Sequence, residues 1–284
     1  MINVRDFGAF GDGTDQTTAI QNAINFALST DPINQKSSTQ RKKIFFPEGD
    51  YFITSTLTIE PTGGATSVRN LIFEGEGGNN INPATRIIFD IAVPTNTGLL
   101  INSGMFIDFY NMTLRNKEDL ESIVRLTSEA IPEFSGTSIS FDRVQFSPYG
   151  TATCTEALVE VYNTKNVVFK GCWLTNGSTA DVTSIRIGDD AANHAGTYQQ
   201  GVSQNTHIYD CFIFGRVDVR NGSQWAIENC VFDEAEYAII TSSGDGRMEA
   251  GRITNCAFLG DTDQTSITLG EYNPDRDWET RNFL

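Results

Sequence analysis

The sequence predicts an all-β fold, a right-handed parallel β-helix with three short strands per coil and an N-terminal capping α-helix. Two repeats carry that expectation. The first is a six-residue unit, clearest as Ile208-Tyr209-Asp210-Cys211-Phe212-Ile213: apolar, polar, Asn/Gly/Asp, small apolar, any residue, apolar. It recurs with starts at 109, 141, 169, 208, 227 and 253, in steps of 32, 28, 39, 19 and 26 residues. Irregular steps around a constant core signal describe a solenoid whose loops vary in length. The third position needs a residue that tolerates a left-handed backbone. Asn111, Gly171, Asp210, Asn229 and Asn255 supply one, and Arg143 is the exception. Each unit therefore reads as strand, bend, strand.

The second repeat is an alternating run, one face in and one face out. It appears as Leu99-Leu100-Ile101-Asn102, Val124-Arg125-Leu126-Thr127, Val159-Glu160-Val161-Tyr162, Ile185-Arg186-Ile187-Gly188 and Val217-Asp218-Val219-Arg220. It continues as Ala238-Ile239-Ile240-Thr241 and Ile267-Thr268-Leu269-Gly270. Ile101, Val161 and Val219 each lie eight residues before a six-residue unit, so this run is the first strand of a coil. Stacked coils bury a continuous core that one coil cannot bury alone.

Residues 1–30 form the cap of a single domain spanning 1–284. Ile20, Ala23, Ile24, Ala27 and Leu28 give a helix one apolar face. Thr14 or Asp15 is placed to cap it. The helix covers the open end of the first coil. Residues 30–43 are polar, with Arg41, Lys42 and Lys43, and read as a surface loop. The coils run from 44 to 270, about eight of them. Long loops fall at the first turn (128–136, 188–204, 242–249) and at the third (115–122, 147–158, 175–184). The outward face of the first strands lies between the two sets, a walled groove suited to a long polymer. Residues 271–284 form a polar and aromatic tail.

Cys172, Cys211, Cys230 and Cys256 share the repeat position held elsewhere by Met112 and Val144. They are expected inside, buried and reduced. Cys154 falls off the repeat, in a loop, as a free thiol. The five cysteines fit no zinc spacing and no complete disulfide framework, and no metal site or cofactor is expected. Trp225 alternates inward with Ile227 and reads as core. A net charge of −16 and a pI near 4.4 exclude nucleic acid, which needs clustered Lys and Arg. No apolar run approaches membrane-spanning length. Arg5 and Asp6 stand where a signal peptide would be apolar, so none is expected.

Two stretches near the start resemble a known family: Asn3-Val4-Arg5-Asp6-Phe7-Gly8-Ala9-Phe10-Gly11-Asp12-Gly13 and Thr18-Ala19-Ile20-Gln21-Asn22-Ala23-Ile24. Ile44-Phe45-Phe46-Pro47-Glu48-Gly49-Asp50-Tyr51-Phe52-Ile53 and Leu71-Ile72-Phe73-Glu74-Gly75-Glu76-Gly77 continue the likeness. All four are similar to the opening of the pectate-lyase-like superfamily, which includes bacteriophage tailspikes. The likeness covers residues 1–90. It implies a virion-tail protein that binds, and in some members cleaves, a bacterial surface polysaccharide, as a homotrimer beside other phage tail proteins. A binding-only adhesin or structural virion protein, and a cellular polysaccharide lyase or hydrolase, are the alternatives. The last strand, ending near 270, leaves an open coil edge that a trimer or a further segment would cover.

Outward residues of the first strand read, coil by coil, Leu100, Arg125, Glu160, Arg186, Asp218, Ile239 and Thr268. Coils sit ~4.8 Å apart, which puts Glu160 and Asp218 roughly 9.6 Å apart at the backbone. Inverting glycoside hydrolases hold their two carboxyls about 6.5–9.5 Å apart. The column is either such an acid and base pair, with Arg186 orienting substrate, or a ladder of alternating charge on an exposed, solvated face. Arginine neighbours favour ionised carboxyls, which suits a base and not an acid. Asp189-Asp190, with His194, either holds calcium, does acid–base work, or opens a loop. Polygalacturonases of the superfamily pair such aspartates with Gly-His-Gly, absent here; the two histidines are His194 and His207. Asp233 heads a third acidic turn, 233–237. Tyr162, Tyr198 and Tyr237 are the aromatics placed to stack on sugar rings.

Overall fold

The computed structural model describes residues 1–29, 41–61, 68–79, 82–127, 138–175, 183–188, 203–220, 222–233, 239–241, 248–249, 251–259 and 267–269. The chain winds as a right-handed parallel β-helix with three sheets running along its axis. Every strand of these sheets pairs in parallel with its equivalents one coil away. The first sheet stacks Leu57–Ile59, Thr97–Asn102, Leu120–Thr127, Cys154–Val161, Thr183–Ile187, Arg216–Val219, Ile239–Thr241 and Ile267–Leu269. The second sheet holds the strands that enter the bend, such as Gly104–Tyr110 and Lys165–Lys170, and the third those that leave it, such as Thr113–Asn116 and Trp173–Thr175.

The repeat sets the core. On the second sheet Phe73, Phe109, Phe141 and Phe169 stack ring on ring, with centroids 4.7, 5.0 and 5.2 Å apart. Ile208, Ile227 and Ile253 continue the register. All six bend residues, Arg143 included, adopt a left-handed backbone, with φ between 53° and 57°. Register with its neighbours forces Arg143 into a conformation that costs an L-residue roughly 1–2 kcal/mol.

The cap helix spans Thr17–Ser29 and buries Ile20, Ala23, Ile24 and Ala27. The Asp15 carboxylate accepts from Thr17 N at 3.0 Å and does the capping, while Thr14 turns back to Asp12. Gln21 on the helix pairs with Thr58 through both backbone groups, donating to its carbonyl and accepting from its N–H, each at 2.9 Å. The side chain thus mimics a neighbouring strand and closes the edge of the first sheet. Among the described residues no helix is long and apolar enough to cross a membrane.

Three expectations change. Cys154 is not in a loop: it opens the strand Cys154–Val161, pairs with Leu120 and is buried. A register shift between Leu120 and Ser122 extends this strand out of phase with the repeat. Of the four aligned cysteines, Cys172, Cys211 and Cys230 are buried but Cys256 is half-buried. In the first-sheet column Asp218 pairs with Ile240, and Ile239 turns into the core. Trp225 lies in the core as expected.

Candidate functional site

Arg125, Glu160, Arg186 and Asp218 follow one another in direct register across four coils of the first sheet. Their neighbours Val124, Leu126, Val159, Val161, Ile185, Ile187, Val217 and Val219 are core residues, and this parity points the four charged side chains away from the core. The column is nevertheless not the exposed, solvated face expected. Glu160 is 0% exposed, Asp218 4% and Arg186 5%. Flanking side chains fold over them.

Glu160 has both oxygens engaged. Arg125 Nε donates to Oε2 at 2.8 Å, and the Tyr162 hydroxyl donates a short hydrogen bond to Oε1. Arg125 also holds Glu121 and lies over the Tyr162 ring, 5.6 Å from its centroid. Arg186 pairs closely with Glu156 through Nη1, which also lies 3.9 Å from Glu160 Oε1. Arg220 Nε donates to Asp218 Oδ2 at 2.8 Å. Arg186 Nε lies 3.7 Å from that same oxygen, beyond hydrogen-bond reach. Two buried polar atoms at this point, Arg186 Nε and Asp218 Oδ1, have no hydrogen-bond partner.

The electrostatics follow from burial and pairing. Burial opposes the Arg125 charge, but hydrogen bonds and attraction from Glu160 and Glu121 outweigh it and raise its pKa. For Arg186 burial is likewise outweighed, by Glu156 and the Tyr162 oxygen. Burial, reinforced by the Glu160 carboxylate, pushes the Tyr162 phenol far above its ordinary range. The cluster's half-exposed rim of Arg125, Glu121 and Arg220 presents donors and acceptors together.

The structure thus brings together Glu160, Asp218, Arg186, Arg125 and Tyr162. It separates Asp233, which ends the strand Val231–Asp233 on the third sheet, in register with Phe214 and Leu259. Asp189, Asp190, Tyr198 and Tyr237 lie outside the described residues. Glu121, Glu156 and Arg220 were missed. Glu121 and Glu156 each stand four residues before a column member on their own strands, and Arg220 stands two residues after Asp218, just past its strand end; that even spacing is the signal that finds them.

The family described as rhamnogalacturonase A/epimerase, pectate lyase-like, matches residues 1–269. No curated protein matches the sequence. Among solved structures, an alginate lyase from Paenibacillus sp. shares 12% identity at a TM-score of 0.54, covering 84% of this chain and 74% of that one. The tailspike of Acinetobacter phage vB_ApiP_P1 shares 15% at 0.53, covering 90% of this chain and 49% of its own. An iota-carrageenase shares 18% at 0.54, covering 86% and 57%. This chain therefore spans about half the tailspike and somewhat more of the carrageenase. At these identities the likeness is one of fold.

Proposed function

We infer that this chain, which belongs to the rhamnogalacturonase A/epimerase, pectate lyase-like family, recognises a bacterial surface polysaccharide on the outward face of its first sheet, as a tailspike-type protein of a virion tail. The observation that carries this is the column Arg125–Glu160–Arg186–Asp218, buried at its last three members and unsatisfied at its end. Burying ion pairs is often no more stabilising than packing apolar residues of similar volume. An ordinary scaffold therefore has little reason to build such a column. Unsatisfied atoms of buried charged groups call for an explanation, and a ligand site is one. Sugar hydroxyls both donate and accept, which suits a rim of mixed charge. Rungs repeating every ~4.8 Å present groups along a line, as a polymer does. The fold likeness to a phage tailspike and the resemblance of residues 1–90 support the virion setting, where the chain works as a homotrimer beside other tail proteins.

Cleavage is a second function, favoured by one observation. Asp218 keeps a free carboxylate oxygen two coils from Glu160, roughly 9.6 Å at the backbone. In that scheme Asp218 is the base, and Glu160 serves as acid only once Arg125 and Tyr162 release it.

The test is incubation of the purified chain with a panel of capsules and O-antigens. Retained polysaccharide, new reducing ends and unsaturated products are all measured. Retention of one polymer supports recognition, and products of either kind add cleavage. No retention and no product across a panel that covers the host overturns the assignment.

A further inference from the structure

Four thiols form a second column, unrelated to the charged one. Cys172, Cys211, Cys230 and Cys256 each follow a left-handed bend residue in consecutive coils, at φ 57°, 56°, 53° and 55°. Flanking pairs such as Glu228↔Thr254 and Val231↔Ala257 place Cys230 directly opposite Cys256. The sulfurs repeat the same contacts. Cys230 donates to Glu228 O in its own coil at 3.2 Å and lies 3.6 Å from Ile208 O in the coil before. Cys256 donates to Thr254 O at 3.4 Å and lies 3.7 Å from Ile227 O. The Cys172, Cys230 and Cys256 thiols therefore reach back toward the preceding coil.

We propose that Cys230 and Cys256 are a covalent modification site, a dithiol that low-molecular-weight disulfides convert to an inter-coil disulfide. Neighbouring strands lie ~4.8 Å apart, inside the Cα separation of about 4.4–6.8 Å that a disulfide spans. The choice of this pair rests on access. Cys172 and Cys211 are 2% exposed and Cys230 1%, while Cys256 is half-buried and within reach of a solute. Contact with Cys230 and partial burial hold the Cys256 thiol above its ordinary range. Deprotonation of Cys256, the reachable thiol, starts the exchange, which therefore quickens as pH rises.

The exchange balances in two steps. The Cys256 thiolate attacks one sulfur of the small disulfide; its S–S bond breaks and the small thiolate that leaves takes up the proton of the Cys230 thiol. The Cys230 thiolate then attacks Cys256 sulfur, forming the Cys230–Cys256 bond and releasing the second small thiol. Two protein thiols are oxidised and one small disulfide is reduced. Parallel stacking holds the Cβ atoms near the strand spacing, wider than the ~3.8 Å a relaxed disulfide prefers, so the bond is reversible by mild dithiols.

The test uses the full native chain and oxidised glutathione. After quenching with N-ethylmaleimide in denaturant and proteolysis, mass spectrometry should find peptides 230 and 256 linked. Cys154, Cys172 and Cys211 should carry maleimide. Brief dithiothreitol should restore all five thiols. The variant C154S should behave as the parent. A glutathione adduct on Cys256 that never resolves, or equal linkage among all four stacked cysteines, overturns the proposal. So does complete maleimide labelling after prolonged oxidation.

Discussion

Arg125 Nε and Glu160 Oε2 meet at 2.8 Å across adjacent coils, with the Glu160 side chain wholly out of solvent. Glu160 is thus contacted by Arg125 and Tyr162 and not by water. Glu160→Gln removes the charge while keeping the shape, and loss of a charge-assisted hydrogen bond costs about 2 kcal/mol. Glu160→Ala leaves Arg125 partly uncompensated and costs roughly 3–5 kcal/mol. Urea unfolding of both variants checks this. Parental midpoints would mean the pair is solvated and worth little.

Arg143 is the bend residue with the wrong chemistry for its backbone, at φ 57°. Its pairing with Asp142 is exposed and gives little in return. Arg143→Gly should therefore raise stability, by about 1 kcal/mol, since glycine takes the left-handed region freely. Thermal melting measures it. A lowered melting temperature would show that Arg143 does more than fill the bend.

Gly251 makes room for Trp225. A Cβ built there would collide with the Trp225 indole ring. Gly251→Ala should cost about 1–3 kcal/mol by overpacking. Combining it with Trp225→Leu should recover part of that loss, because the clash is gone. Additive losses in the double variant would count against the contact.

Tyr51 is fully buried, and its hydroxyl donates to Pro47 O at 2.8 Å. Burial pushes its pKa to about 12. The unfolded phenol ionises near pH 10. Because the folded value is the higher, the stability this group contributes is complete below about pH 10 and is lost as pH rises toward 12. Phenolate absorbance should show one tyrosine ionising late in that window, absent in Tyr51→Phe. The same late transition surviving in Tyr51→Phe would assign it elsewhere.

The fold was legible because its repeat is a backbone requirement. A left-handed bend followed by an inward small residue leaves the same signature at Asn111, Asp210, Asn229 and Asn255 whatever the loops do. Phase was harder where two apolar residues adjoin. Ile239 and Ile240 fit period two equally well, and only the ladder assigns Ile239 to the core. Cys154 was misplaced because a register shift breaks the period just where its strand begins. Within the site, alternation found which way Glu160, Arg186 and Asp218 face. It did not find that they are buried. Outward burial depends on what Tyr162, Glu156 and Arg220 do with long side chains, and spacing along a strand does not encode that.

Binding of the parental polysaccharide by Asp218→Asn tests the central claim most directly. The measurement is titration calorimetry well below each melting temperature, with Arg252→Ala, an exposed ion pair on the second sheet, as the control. If the first-sheet column is the site, Asp218→Asn weakens binding tenfold or more, about 1.4 kcal/mol, while Arg252→Ala binds as the parent. Unchanged affinity in Asp218→Asn would contradict the account and leave the column a structural ladder.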